Sequence, residues 1–230
     1  MKRELPVSLT TKQIRWGTRY LGFELVFLGS LLVLLAQKIW PAVPDAYLDF
    51  SYFLINFVAV FLIFRTFLRR NLQHTLKHMG ATLTCAGIGY VVYWVTNFVI
   101  SWAIVSLFPD FFNVNDASIA DTSQNHFWLM AAGTILLVPL AEEVLFRGLI
   151  FGSLHSRNRL LAYAISTVFF AFIHVMGYIG YYDIWMLLLC FVQYLPAGIA
   201  LAWAYERSGS ICAPILIHTA VNAIGMLSSR

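Results

Sequence analysis

Charged residues are scarce in this sequence: Asp, Glu, Lys and Arg make up 11% of its 230 residues, where a soluble domain carries about 25%. Hydrophobic residues make up 60%, and they come in long runs rather than at helical or strand period. Together these exclude an ordinary soluble domain and point to lipid as the solvent. Cysteine is nearly absent too. Cys85, Cys190 and Cys212 each lie well inside an apolar run. With no CxxC spacing and an odd count, neither a disulfide framework nor a zinc cluster is indicated. There is no internal repeat, no low-complexity tract and no pair of matching broken segments such as an inverted-repeat transporter shows.

What is present is a series of apolar runs, and the fold they imply is an all-α, polytopic transmembrane helix bundle of about seven spans. The spans are expected near Tyr20–Ile39, Tyr47–Phe64, Ala81–Phe108, Phe127–Leu154, Leu160–Gly180, Ile184–Tyr205 and Ser210–Leu227. The chain divides into N-terminal membrane helices over 1–126 and a core over 127–230, integrated in one membrane domain. Trp40, Tyr47, Tyr181, Tyr182 and Trp185 fall at span ends, as an aromatic belt does.

Orientation follows from the loops. Lys2, Arg3, Lys12, Arg15 and Arg19 precede the first span, and Arg65, Arg69, Arg70 and Lys77 follow the second. Arg157 and Arg159 follow the fourth, and Arg207 the sixth. The other side keeps Lys38 and Arg230 but collects Asp45, Asp49, Asp110, Asp116, Asp121 and Asp183. This alternation places the N-terminus in the cytoplasm and the C-terminus outside. The net charge of +4 is therefore a topology signal, and no nucleic acid is expected as a partner. The first helix lacks a small-residue cleavage site and is expected to be retained. The outer loop Pro109–His126 is polar and acidic, either flexible or a cap on the bundle.

The chemistry lies inside the apolar runs, where ionisable residues are costly and face a protein interior or a watery cavity. Glu143 and Arg147 in the fourth span stand at i and i+4, the favourable order for an ion pair. Glu142 is rotated about 100° from Glu143, which suggests one structural and one reactive carboxylate. Phe170 and His174 share a face of the fifth span, and His218 and Asn222 a face of the seventh. Counting about 1.5 Å per residue, Glu142, His174, His218 and Asn222 all fall roughly 15–21 Å from the cytoplasmic side. Three helices thus place polar groups at one level, which favours a single site. Pro139 and Pro214 precede Glu142 and His218 by about one turn, and each removes a helix hydrogen bond or starts a helix.

The pattern Glu-Glu-x-x-x-Arg, Phe-x-x-x-His and His-x-x-x-Asn, in that order on separate spans, resembles the family of CAAX-protease and bacteriocin-processing intramembrane endopeptidases, related to the type II CAAX prenyl endopeptidases. The resemblance covers about Phe127 to Leu227; the first 126 residues share only their hydrophobic helices. It implies an intramembrane hydrolase in which Glu142 and His174 hold and deprotonate a water, and His218 and Asn222 donate to the oxyanion. Glu143 and Arg147 would orient the first carboxylate, and Phe170 completes the second motif. No cofactor is favoured, since HExxH is absent; if the chemistry is metal-dependent, Glu142, His174 and His218 are the zinc ligands. The expected substrate is a membrane-associated peptide or protein, in peptide or bacteriocin processing or in self-immunity.

Blander readings stand beside this one. The same carboxylates and arginine serve a purely structural ion-pair network, and either histidine alone is an ordinary satisfied core residue. A non-catalytic immunity or regulatory scaffold and a small transporter or proton relay are the alternative functions. Glu24 is expected to snorkel or to pair with Arg19. His74 and His78 are expected against anionic lipid in a basic cytoplasmic connector, and His126 and His155 in solvent at span ends. Asn97 and Gln193 are expected as interhelical glue rather than as cavity lining. The short loops suit a prokaryotic member in the cell membrane, and the sequence carries no sign of an oligomeric state.

Overall fold

The computed structural model describes residues 5–228. Lys2, Arg3 and Arg230 of the charge pattern lie outside the described residues. Among the described residues the regular structure is helical, apart from one isolated bridge between Ile179 and Tyr182.

Eight helical segments follow one another. α1 spans Thr11–Ile39, α2 Asp45–Lys77, α3 Met79–Leu107, α5 Phe127–His155, α6 Arg159–Met176 and α7 Ile184–Ser208, and these six are long and apolar enough to cross a membrane. α8, Cys212–Ser228, is a shorter apolar helix of 17 residues, about 26 Å long and at the lower limit for a span. α4, Val114–Ser123, is a short polar helix between α3 and α5. The multi-pass, all-helical architecture is thus as the apolar runs foretell, with six helices of full spanning length plus α8.

Two boundaries move. α1 begins at Thr11 rather than at Tyr20, because Thr10 and Gln13 close a reciprocal capping box there. α2 does not stop near Phe64 but runs on to Lys77, so the basic stretch read as a connector is helix. The reason is tertiary. Asn71 and Thr75 on this extension are buried, and Asn71 Oδ1 accepts the Ile211 N–H at 3.1 Å, holding the turn into α8. That turn passes through Gly209 at φ +68°, where a Cβ would also stand 2.7 Å from Pro6. Only glycine meets both conditions.

α5 is the most buried of the six long helices. It packs against α2, α6 and α8, while α7 lies against α3 and α6. The outer faces of α1 to α3 expose large apolar side chains such as Leu34, Trp94 and Trp102, the surface that lipid covers. α5 is interrupted by two wider turns, Gly133–Leu137 and Val144–Phe151, and α1 by one at Glu24–Leu28, each with π-helical bonding. Such turns recur at functional sites.

α5, α6 and α7 are fastened near one end by an ion cluster. Glu206 accepts from Arg159 Nε at 2.6 Å and Nη2 at 2.9 Å, from Tyr163 at 2.6 Å, and meets His155 Nε2 at 2.8 Å. His155 is therefore buried rather than solvated, contrary to its position at a predicted span end. His126 is half-buried and edge-on to Tyr47 at 5.1 Å. Glu206→Ala is expected to lower stability by about 1.5–3 kcal/mol, the range for hydrogen bonds to a charged group. Denaturant unfolding in detergent checks this; an unchanged midpoint would contradict it.

Candidate active site

The three motifs converge. Glu142 and Glu143 come from α5, Phe170 and His174 from α6, and His218 and Asn222 from α8. Glu142, Phe170, His174, His218 and Asn222 all line one cavity of about 900 Å³. Glu143 and Arg147 lie behind its wall, each with no exposed surface.

Behind the wall, Arg147 Nη1 donates to Glu143 Oε1 at 3.1 Å, as the i, i+4 spacing predicts. The same oxygen meets His218 Nδ1 at 2.9 Å, a contact between α5 and α8 that no spacing rule reveals. Arg147 Nη2 also donates to the carbonyl of Gly198 at 3.3 Å. A Cβ at Gly198 would stand 2.6 Å from Thr167, so the glycine lets α7 approach α6 and present that carbonyl.

Phe170 explains its place in the second motif. The Arg147 guanidinium carbon lies 4.2 Å from its ring centroid. His174 lies 4.6 Å and His218 5.8 Å from the same ring. The buried cation and both imidazoles thus pack against one aromatic ring.

His174 Nδ1 lies 2.7 Å from the carbonyl oxygen of Phe170. A carbonyl only accepts, so Nδ1 carries the hydrogen, and in the neutral ring Nε2 is left with its lone pair. The ring stacks on Tyr194, centroids 4.2 Å apart. Tyr194 in turn bonds Asn113, Asn115 and Asp116 at the start of α4. Asn113 is also the N-cap of α4, accepting from Asn115 and Asp116 N–H at 3.1 Å each. The acidic loop therefore caps the bundle, fastened to the ring that buttresses His174.

Asn222 has a partner the sequence did not suggest. Its Nδ2 donates to the carbonyl of Thr134 at 2.8 Å. That carbonyl is free because the Val138 N–H bonds Gly133 instead, and the next residue in π register, Pro139, has no N–H. Pro139 thus opens the helix as its position suggested, and Asn222 closes the gap from α8. Pro214 lies in the first turn of α8 and starts that helix.

Glu142 is held differently. Its Oε2 is buried with no hydrogen-bond partner, as is the hydroxyl of Thr134 on the same cavity wall. Among the described residues no three of His, Cys, Asp and Glu stand close enough to hold a metal ion. Glu142, His174 and His218 as placed do not form a zinc-binding set.

The cavity is not built from the last four helices alone. Glu24, read as a snorkelling residue, is buried on its wall, accepting from Tyr52 and, at 3.4 Å, from Asn56. Arg19 lies instead over the Trp16 ring at 5.1 Å. Asn97 and Gln193 also line the cavity, and Gln193 bridges Asn113 and Ser101 at 2.7 and 2.8 Å. Gln193 is thus both lining and interhelical tie. His74 and His78 are remote, their rings stacked on each other at 4.3 Å near the end of α2.

The arrangement defines a class: a multi-pass helical membrane protein with a carboxylate, two imidazoles and an amide lining one cavity. Residues 124–224, somewhat under half of the chain, match the family described as type II CAAX prenyl endopeptidase Rce1-like. The matched stretch contains all three motifs, so the resemblance to the CAAX-protease and bacteriocin-processing family is shown over it. The chain is 36% identical over 90 residues to the UPF0177 protein YxdF of Lactococcus lactis, covering 39% of this chain and 44% of that one. It is 27% identical over 192 residues to a Bacillus subtilis protein provisionally named membrane peptidase YdiL, covering 81% of this chain and 70% of that one. The chain thus spans less than half the length of the first relative. No solved structure matches it. At family level the likeness is to intramembrane peptidases.

Proposed function

We propose that this protein is an intramembrane endopeptidase that hydrolyses a peptide bond of a membrane-associated peptide or protein. The observation that carries the reading is that an unpartnered Glu142 oxygen and a His174 ring oriented by Phe170 belong to residues lining the same cavity. A water bound there donates one hydrogen to the Glu142 carboxylate and the other to the His174 Nε2 lone pair. As its oxygen attacks the peptide carbonyl carbon, Glu142 takes the proton, and the carbonyl oxygen becomes an oxyanion. His218, anchored through Nδ1 on Glu143, turns Nε2 toward that oxyanion, and Asn222 supplies its second amide hydrogen. Collapse of the intermediate breaks the C–N bond, and Glu142 returns its proton to the leaving amine. Glu143 and Arg147 fix the position of His218 and of the helix turn that carries Glu142. No step requires a metal.

The biological setting that goes with this chemistry is peptide or bacteriocin processing, or self-immunity, in a cell membrane with the N-terminus cytoplasmic. The provisional name of the Bacillus relative supports the membrane-peptidase part of this reading alone. The test is purification in detergent and incubation with a library of apolar peptides in ¹⁸O water, followed by mass spectrometry. New C-termini carrying ¹⁸O, formed equally with and without chelator, are expected. A folded preparation that cleaves no peptide would overturn the proposal, and activity lost to chelator and restored by zinc would overturn its metal-free form.

A further inference from the structure

The segment that carries the family likeness, 124–224, leaves the first half of the chain without an assigned role, yet that half builds one side of the cavity. Its most unusual residue there is Glu24. It sits at the start of the π-helical turn in α1, with 9% of its surface exposed. Two neutral donors, the Tyr52 hydroxyl and the Asn56 amide, both fall on Oε1. The second oxygen is not needed to hold the side chain. A carboxylate this deep in a membrane protein calls for a cationic partner, and among the described residues Glu24 has none. Asp49, one turn before Tyr52 on α2, and Asp116 on α4 line the same cavity, and neither Lys nor Arg does.

A second observation points to a ligand that brings hydrogen-bond donors. Thr134, 7% exposed, and Glu142 both line the cavity, and the hydroxyl of the one and Oε2 of the other are buried without a partner. Buried polar atoms are rarely left so. A substrate entering the cavity offers an N–H group to the Thr134 hydroxyl, and an ammonium or guanidinium group offers the charge that Glu24 lacks.

We propose that Glu24, with Asp49 and Asp116 lining the same cavity, forms a subsite for a cationic group of the substrate, a Lys or Arg side chain close to the scissile bond. This rests on the endopeptidase reading for the identity of the ligand as a substrate, but not for the binding itself. The subsite selects peptides by charge, and the N-terminal half of the chain thereby sets the specificity of chemistry carried by the C-terminal half.

The experiment uses the full-length protein and apolar peptides, N-acetylated and C-amidated, with one Lys scanned along them and Gln as its neutral counterpart. In one register the Lys peptide is expected to be cleaved with kcat/KM about tenfold above the Gln peptide. Glu24→Gln, which keeps an oxygen for Tyr52 and Asn56, should bring that ratio to within about twofold while the Gln peptide is still cleaved. Asp49→Asn gives a second removal of charge, with a smaller loss of preference, should Glu24→Gln fail to accumulate folded. An unacetylated series separates sources: a preference seen only there assigns the cation to a peptide α-ammonium, and overturns the side-chain subsite. Binding of fluorescent Lys and Gln peptides to Glu142→Gln separates the two proposals. Tighter, Glu24-dependent binding of Lys peptides without any cleavage by the unaltered protein would support the subsite and overturn the endopeptidase reading. Cleavage with no Lys preference, or a preference unchanged by Glu24→Gln and Asp49→Asn, would overturn the subsite and leave the endopeptidase standing.

Discussion

Glu142→Gln is expected to leave a folded protein and to lower kcat by about 10²–10⁴, the contribution of a well-placed general base. Gln has the shape of Glu but accepts no proton, so the bound water keeps both of its hydrogens. Glu142 makes no hydrogen bond through Oε2, and the exchange therefore removes little that holds the helices together. That is the contrast with its neighbour. Glu143 meets two partners through one oxygen, and its neutralisation should act on stability before it acts on chemistry. Peptide cleavage rates and unfolding midpoints, measured on both single variants in the same detergent, check the division of labour. If Glu142→Gln cleaved at the normal rate, the water-activating role would be lost, whatever the effect of Glu143→Gln.

The motif residues were legible because each motif is local. Residues four apart on one helix share a face, so the Glu143–Arg147 pair, the His174–Phe170 contact and the common level of the polar groups all follow from counting. Contacts between helices do not. Nothing in the order of residues says that His218 on α8 reaches Glu143 on α5, or that Asn222 answers a carbonyl freed by Pro139; yet the proline was the visible sign that some carbonyl there needed a donor. Glu206 does carry a local sign, since an acid near the end of an apolar helix calls for a partner and His155 and Arg159 stand at the neighbouring span ends. At Glu24 a local sign misleads. A nearby Arg19 supplied a local partner, and the structure sends that arginine to Trp16 and the carboxylate inward. The extension of α2 was hidden because basic residues mark a membrane edge but not the end of a helix, and Asn71 and Thr75 have their reason for burial about 140 residues further along the chain, at Ser210 and Ile211.

The largest effect on folding is expected at Arg147. Its side chain and that of Glu143 have no exposed surface, so Arg147→Met leaves a carboxylate sealed away from water with only His218 beside it. Stranding one member of a buried pair costs about 3–5 kcal/mol, a large part of the roughly 5–15 kcal/mol by which folded proteins are stable. Methionine is the informative replacement because its chain keeps the packing against Phe170 while deleting the charge. Glu143→Gln introduced together with Arg147→Met removes the stranded charge, and the double variant is expected to recover most of the lost stability. A double-mutant cycle on unfolding free energies measures that recovery as a coupling energy; additive losses would show that the pair does not act as a unit. Activity should part from stability here. With Glu143 neutral, the charge that accepts the His218 Nδ1 hydrogen is gone, and the ring loses the anchor that leaves its Nε2 free for the oxyanion. The double variant is therefore expected to be folded and slow, and a folded double variant of normal rate would release Glu143 from any part in the chemistry.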